Sequence, residues 1–262
     1  MNEAEVIGVY REERFSPGKV EEDRAVLDLA AAELARAGRA VRMLNGDRLP
    51  RLAEPPALVF AMCQSQEALT WLDRAAARSI VVNHPDAIRG CYRVNLVERL
   101  ARAAVPQPRW ALAGRRFPDE LGAGPWLKRG DVHAMQAGDV RRVFSTQEWA
   151  TIAADFQRRG IRQAIVQQHL DGAVYKFYGV KGGFFRAYGL PDAQEASAAE
   201  LARRAADAIG LEVYGGDGVA TPDGALALID VNDWPSFSRC RAEAGIAIGR
   251  RLLQLLETRV AR

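Results

Sequence analysis

Apolar positions in the first third of the chain fall into short continuous runs separated by amphipathic stretches. Residues 6–10, 40–44, 57–61 and 79–82 read as strands, because runs of this length rich in Val, Ile, Leu and Phe suit buried strands. Helical periodicity predicts helices over 20–37, stopped by Gly38, and over about 65–77. Strands alternating with helices imply a small parallel α/β lobe over residues 1–83. The loop 11–19 follows the carboxyl end of the first strand, where such lobes bind ligands. Its Arg11, Arg14 and Lys19 either meet an anion there or stand solvated.

A short helix begins at 83–88 with Pro85 in its first turn, and a second spans about 92–103. Val105-Pro106-Gln107-Pro108 is a stiff connector, after which the pattern changes to shorter strands, glycine turns and aromatic pairs. A strand over 124–128 carries Lys128 and leads into the loop 129–138, followed by a strand over 139–144. Ser145-Thr146-Gln147-Glu148 reads as a capping box opening a helix to about 159. A strand over 164–170 then runs into a hairpin, 174–178 against 184–188, around Lys181-Gly182-Gly183. If those three residues are the loop, Tyr178 faces Arg186 and Lys176 shares a face with Arg186; a two-residue loop would separate them. Two cations on one face could neutralise a phosphoryl group, or could lie over the aromatic surface with their charges in water. A helix over 193–209 follows, apolar at Ala198, Leu201, Ala205 and Ala208, and a closing helix over 241–258 buries Ile246, Ile248, Leu252, Leu253 and Leu256.

Between these last two helices, residues 217–232 form a hairpin with Asp217 at its entry and Asp230-Val231-Asn232 at its exit. With Thr221-Pro222-Asp223-Gly224 as the loop, Ala220 faces Ala225 and Asp217 faces Leu228. Strand alternation then puts Asp217, Leu228, Asp230 and Asn232 on one side. Converging oxygen donors suit Mg²⁺, which takes one or two carboxylates beside water and phosphates. Alternatively, Asp230 and Asn232 begin the loop before Pro235.

At 262 residues, with 48% hydrophobic and 26% charged residues, the chain is expected to be globular with two or three lobes. The net charge of +3 is spread along the chain, which argues against a nucleic-acid partner. No apolar run approaches the roughly 20 residues that span a bilayer, and the acidic start at residues 1–5 is no signal peptide. A cytoplasmic protein with no membrane partner is therefore expected, and Cys63, Cys91 and Cys240 show neither disulfide nor zinc spacing.

Lys128, the glycine-flanked loop, Val166-Gln167-Gln168-His169-Leu170, Lys176, Arg186, Asp217 and Asp230-Val231-Asn232 together resemble the ATP-grasp superfamily in order and spacing over residues 85–262. The resemblance implies an α/β lobe followed by an ATP-grasp fold of two α+β subdomains over 84–262, with ATP held between them. It implies that Arg93, Lys128, His133, Gln168, His169 and Leu170 bind the nucleotide, with loop 129–138 as the flap over its phosphates. Asp217, Asp230 and Asn232 would hold Mg²⁺, and Lys176 and Arg186 would act on the γ-phosphoryl group or an acyl phosphate. Arg93 stands where the family has a lysine, Gln168 where glutamate is commoner, Val174 where an acid often precedes the hairpin cation, and Ser236 where glycine is common. The flap has His133 and Met135 in place of dense glycines.

The implied reaction is ATP-dependent joining of a small-molecule or peptide carboxylate to an amine through an acyl phosphate, as in relatives of glutathione synthetase and ribosomal-protein glutamate ligases, with a homodimer as one expected assembly. Asp230, where ligases usually carry glutamate, also resembles inositol polyphosphate kinases, which would phosphorylate a hydroxyl. A nucleotide-binding protein without turnover is a third reading.

Overall fold

The computed structural model describes residues 6–114 and 117–260, so the acidic start at 1–5 lies outside the described residues. In the first lobe, β1 (Val6–Tyr10), α1 (Val20–Arg36), β2 (Val41–Asn45), β3 (Leu58–Ala61), α2 (Gln66–Ala75) and β4 (Ile80–Val82) follow in sequence. All strand pairs are parallel, in the order β2-β1-β3-β4. Every residue of β3 is buried, as its unbroken apolar run requires. Ser65 starts α2 by accepting from the Ala68 N–H at 3.2 Å, and Pro85 opens α3 (Pro85–Gly90), which precedes α4 (Arg93–Arg102).

The next sheet is antiparallel. β5 (Trp110–Leu112), β6 (Trp126–Arg129), β7 (Val140–Arg142), α5 (Thr146–Arg158) and β8 (Ala164–Gln167) give the order β5-β8-β6-β7. β7 is shorter than its sequence suggests. The Asp139 carboxylate accepts from the Met135 N–H at 2.7 Å and the Gln136 N–H at 3.3 Å, which draws 137–139 into a helical turn ahead of the strand. Ser145 caps α5 by accepting from Glu148 N–H at 3.1 Å, but the Glu148 carboxylate reaches the N–H of Phe144, one residue before the position a full capping box would use.

The third sheet contains β9 (Ala173–Val180), β10 (Phe184–Tyr188), α6 (Asp192–Ile209), β11 (Val213–Ala220) and β12 (Leu226–Asp233), ordered β10-β9-β11-β12, before the closing α7 (Arg241–Val260). The expected parallel α/β lobe and two α+β subdomains are thus present. One core runs between the first and third sheets: Val26, Leu34 and Phe60 pack with Val180, Val213, Trp234, Ile248 and Leu252. Asn83, fully buried, ties the end of β4 to β11, accepting from the N–H groups of Glu212 (2.8 Å) and Val213 (3.0 Å) and donating to Val213 O (2.7 Å). On α7, Ile248, Leu252 and Leu256 are buried and Leu253 is partly so, whereas Ile246 is 36% exposed. The expectation for Ile246 is corrected because its face of the helix looks into a surface hollow beside β10. Among the described residues no helix is long and apolar enough to cross a membrane.

Candidate functional site

The β11–β12 hairpin differs from the simple four-residue turn. Thr221 N–H donates to Ala225 O at 2.9 Å, so the loop has five residues and Ala220 faces Leu226. A bulge then shifts the register: Gly218 faces Leu228, Asp217 faces Asp230, and Ile229 has no cross-strand partner. Asp217, Asp230 and Asn232 still share a face, but Leu228 leaves it and enters the core with Tyr175, Phe177 and Val231. Without the bulge, Leu228 would occupy the place that Asp230 takes.

Across the sheet, Lys176 on β9 faces Asp217 and Tyr178 faces Gly215, while Arg186 on β10 faces Tyr178, as the three-residue loop requires. Lys176 Nζ is 2.6 Å from Asp217 Oδ1. Arg186 lies on the edge strand, where Glu243 of α7 holds it at 2.5 Å beside the Ile246 hollow. It is therefore not brought to the aspartates.

Lys128 comes from the second sheet. Lys128 is 7% exposed, and its ammonium donates to Gln167 Oε1 at 2.6 Å and to Ile229 O at 3.2 Å, so it meets the carbonyl of the bulged residue. Burial, with Arg93 nearby, lowers its pKa to about 8, against the pull of Asp230 and Asp217. Arg93, at the start of α4, donates to Arg129 O at 3.3 Å and pairs with Asp230 at 3.4 Å; its Nε is buried and has no hydrogen-bond partner among the described residues. Burial works to raise the Asp230 pKa, but Arg93, Lys128 and His133 together hold the carboxyl below its ordinary value. Asn232 Nδ2 donates to Asp230 Oδ2 at 3.4 Å. Among the described residues no group of three or more His, Cys, Asp and Glu side chains is set to hold a metal ion. The available oxygen donors are two carboxylates and the Asn232 amide, a hard set that fits Mg²⁺ shared with phosphates.

Two hollows meet at Arg93 and Asp230. The first, about 400 Å³, is walled by Trp126, Val140, Leu170, Val174 and Val219 with Lys128 on its lining; Gln168 and His169 also border it. Trp126 Nε1 donates to His169 Nδ1 at 3.1 Å, and Gln168 is bound to Arg109 through its N–H (2.8 Å) and its Oε1 (3.1 Å). The second, about 320 Å³, is bordered by Lys19, Gln64, Tyr92, His133, Lys176 and Tyr178. His133 faces this second hollow. Arg11 also borders it, but its guanidinium is committed to Asp23 (3.1 Å), Met62 O (3.2 Å) and Trp234 O (2.8 Å), which joins the lobes instead of presenting a free cation. Arg14 lies in a separate surface hollow, over the Phe15 ring.

Gln64, Tyr92 and Asp233 belong to this region although their local sequence did not single them out, and Gln167, part of the Val166–Leu170 motif but given no role there, joins them through Lys128. Asp233 directly extends Asp230-Val231-Asn232, the one signal that pointed to it. Gln64 lies between β3 and α2 and Tyr92 between α3 and α4, positions whose convergence depends on the tertiary fold.

No family model matches the chain, and no curated protein does. Solved structures do. D-alanine–D-alanine ligase from Bacillus anthracis complexed with ATP superposes with a TM-score of 0.73 at 10% identity, over 99% of this chain and 100% of that one. A RimK domain protein ATP-grasp from Sphaerobacter thermophilus DSM 20745 gives 0.73 at 20% identity, over 95% and 100%. The ATP-grasp ligase PsnB, complexed with precursor peptide PsnA2 and AMPPNP, gives 0.67 at 17% identity, over 98% and 99%. With three sheets in this order and a likeness extending over nearly its whole length, the chain has the ATP-grasp fold.

Proposed function

We propose that the chain is an ATP- and Mg²⁺-dependent ligase that joins a carboxylate to an amine through an acyl phosphate. The observation that carries this reading is the meeting of two hollows at Arg93 and Asp230, with Lys128 on one side and Lys176 on the other. The first hollow has the apolar walls a purine takes, and Lys128 would receive its phosphates. The second would hold the carboxylate and the amine. Asp217, Asp230 and Asn232 would hold the Mg²⁺, which when bound offsets negative charge on the phosphoryl group. Lys176 would move from Asp217 to the transferring group and stabilise the charge that develops there, and Arg93 would do the same from the opposite wall. The loop 129–138 would exclude water, which otherwise hydrolyses an acyl phosphate. Arg186 takes part only if Glu243 releases it.

A kinase acting on a phosphorylated alcohol, which Asp230-Val231-Asn232 keeps in view, would need several free cations around its substrate. The second hollow offers few, because Arg11 is committed to Asp23 and two carbonyls. Incubation with ATP, Mg²⁺ and a pool of amino acids, short peptides and simple polyols tests the choice by mass spectrometry. ADP, inorganic phosphate and a new amide are expected; ADP with a phosphorylated hydroxyl would overturn the ligase reading.

A further inference from the structure

The loop after β6 carries His133 to the second hollow, where its ring is held from two directions. Nε2 lies 2.9 Å from Oδ1 of Asp233, a carboxylate with no exposed surface, whose other oxygen accepts from Gln64 Nε2 at 3.0 Å. Tyr92 meets the ring edge-on, with centroids 5.8 Å apart. The His133 side chain keeps 24% of its surface exposed on the wall of the hollow, and Nδ1 has no hydrogen-bond partner among the described residues. A buried carboxylate at Nε2 favours the tautomer with its proton on Nε2, which leaves the Nδ1 lone pair directed to another partner. Nucleophile activation uses this arrangement of a base oriented by a third group.

We propose that His133 is the general base for the amine, with Asp233 as its positioning residue, a role that rests on the ligase reading above. As the lone pair of the neutral amine forms the C–N bond to the acyl phosphate, Nδ1 takes one N–H proton. The acyl C–O bond breaks, its electron pair leaves with phosphate, and the phosphate then receives the proton from the imidazole. The products are an amide and hydrogen phosphate, and His133 returns to its neutral form. This assigns to the flap of this chain a chemical task beyond covering phosphates, and places it on the amine side of the site.

Hydroxylamine separates this role from a mere latch on the loop, because it captures acyl phosphates without a base. Wild type, His133→Asn, His133→Gln and Asp233→Asn are assayed with ATP, Mg²⁺ and a pool of amino acids, with and without hydroxylamine. Hydroxamate reports formation of the acyl phosphate, and amide reports its transfer to an amine. The His133 variants are expected to lower the amide-to-hydroxamate ratio by roughly 10²- to 10⁴-fold, and Asp233→Asn to lower it in the same direction. An unchanged ratio, with both products falling together, overturns the general-base role and leaves His133 as a latch. A wild type that forms neither product overturns the ligase reading and this role with it. Should Asp233→Asn fail to fold, the two His133 substitutions, made on a loop, still decide.

Discussion

Lys128 bears a charge although the residue is only 7% exposed, and among the described residues its ammonium has Gln167 and a backbone carbonyl as direct partners. Its pKa is lowered from 10.5 to about 8, chiefly by burial. A cation whose folded pKa lies below its unfolded one weakens the fold at low pH, where both states are charged and only the folded one has lost its hydration. As pH rises from 8 towards 10.5 the unfolded state holds the extra proton, so stability rises. The full penalty is about 3 kcal/mol at neutral pH. Urea unfolding should therefore show the stability of Lys128→Met, relative to wild type, falling by about 2 kcal/mol between about pH 7.5 and about pH 9.5. A constant gap would mean that Lys128 keeps its ordinary pKa. A residue so costly to the fold, on the lining of the apolar hollow, matches a group kept for an anionic ligand.

Among the elements, β11 and β12 make the site possible through an irregularity. The bulge at Ile229 turns Leu228 into the core, sets Asp230 opposite Asp217 and directs a backbone carbonyl to Lys128. The glycines of Gly215-Gly216-Asp217-Gly218 let this happen: a Cβ at Gly216 would run into the backbone oxygen of Asp230 and the Phe177 ring, and one at Gly218 into the Tyr175 ring. Gly216→Ala should destabilise the protein by about 1–3 kcal/mol, because backbone gives way less readily than a side chain, and should lower ATP turnover by displacing Asp230. Gly138→Ala, whose Cβ would touch only Arg159 at an ordinary 3.7 Å, should change stability by less than about 0.5 kcal/mol. Thermal melts and ADP release measure both; equal effects would show that the close approach in β11 is not what matters.

Across the whole molecule, the first lobe and the third sheet share one core, so neither has a complete interior alone. α1 and α7 approach closely because Gly245 lies over Leu29 and Gly249 over Glu33, where any Cβ would collide. Asn83 and Arg11 add polar ties, binding β11 and the Trp234 carbonyl. The intact chain should unfold in one transition by calorimetry and by fluorescence of its tryptophans. The segment from residue 84 onward, expressed alone, should lack a cooperative melt, since Val180, Val213, Trp234 and Ile248 would lose their cover. A sharp, separate transition for that segment would show that it folds independently.

Periodicity, caps and turn residues act over a few neighbours, so most strands and helices and the order of the chemistry along them could be read from the chain, whereas β5, the helical turn at 137–139 and the end of β8 could not. The strand positions of Lys128, Lys176 and the Asp230-Val231-Asn232 triplet were legible for that reason; the turn at Lys181-Gly182-Gly183 allowed two loop lengths, and the register with three residues sets Arg186 opposite Tyr178. How these groups meet depends on long-range packing. The bulge at Ile229 is matched by a lysine from another sheet, Arg186 is held by Glu243 from a distant helix, and His133 is turned towards Asp233 by contacts that cross the chain. Each outcome depends on a partner remote in sequence, and burial then sets the charge behaviour of the groups brought together.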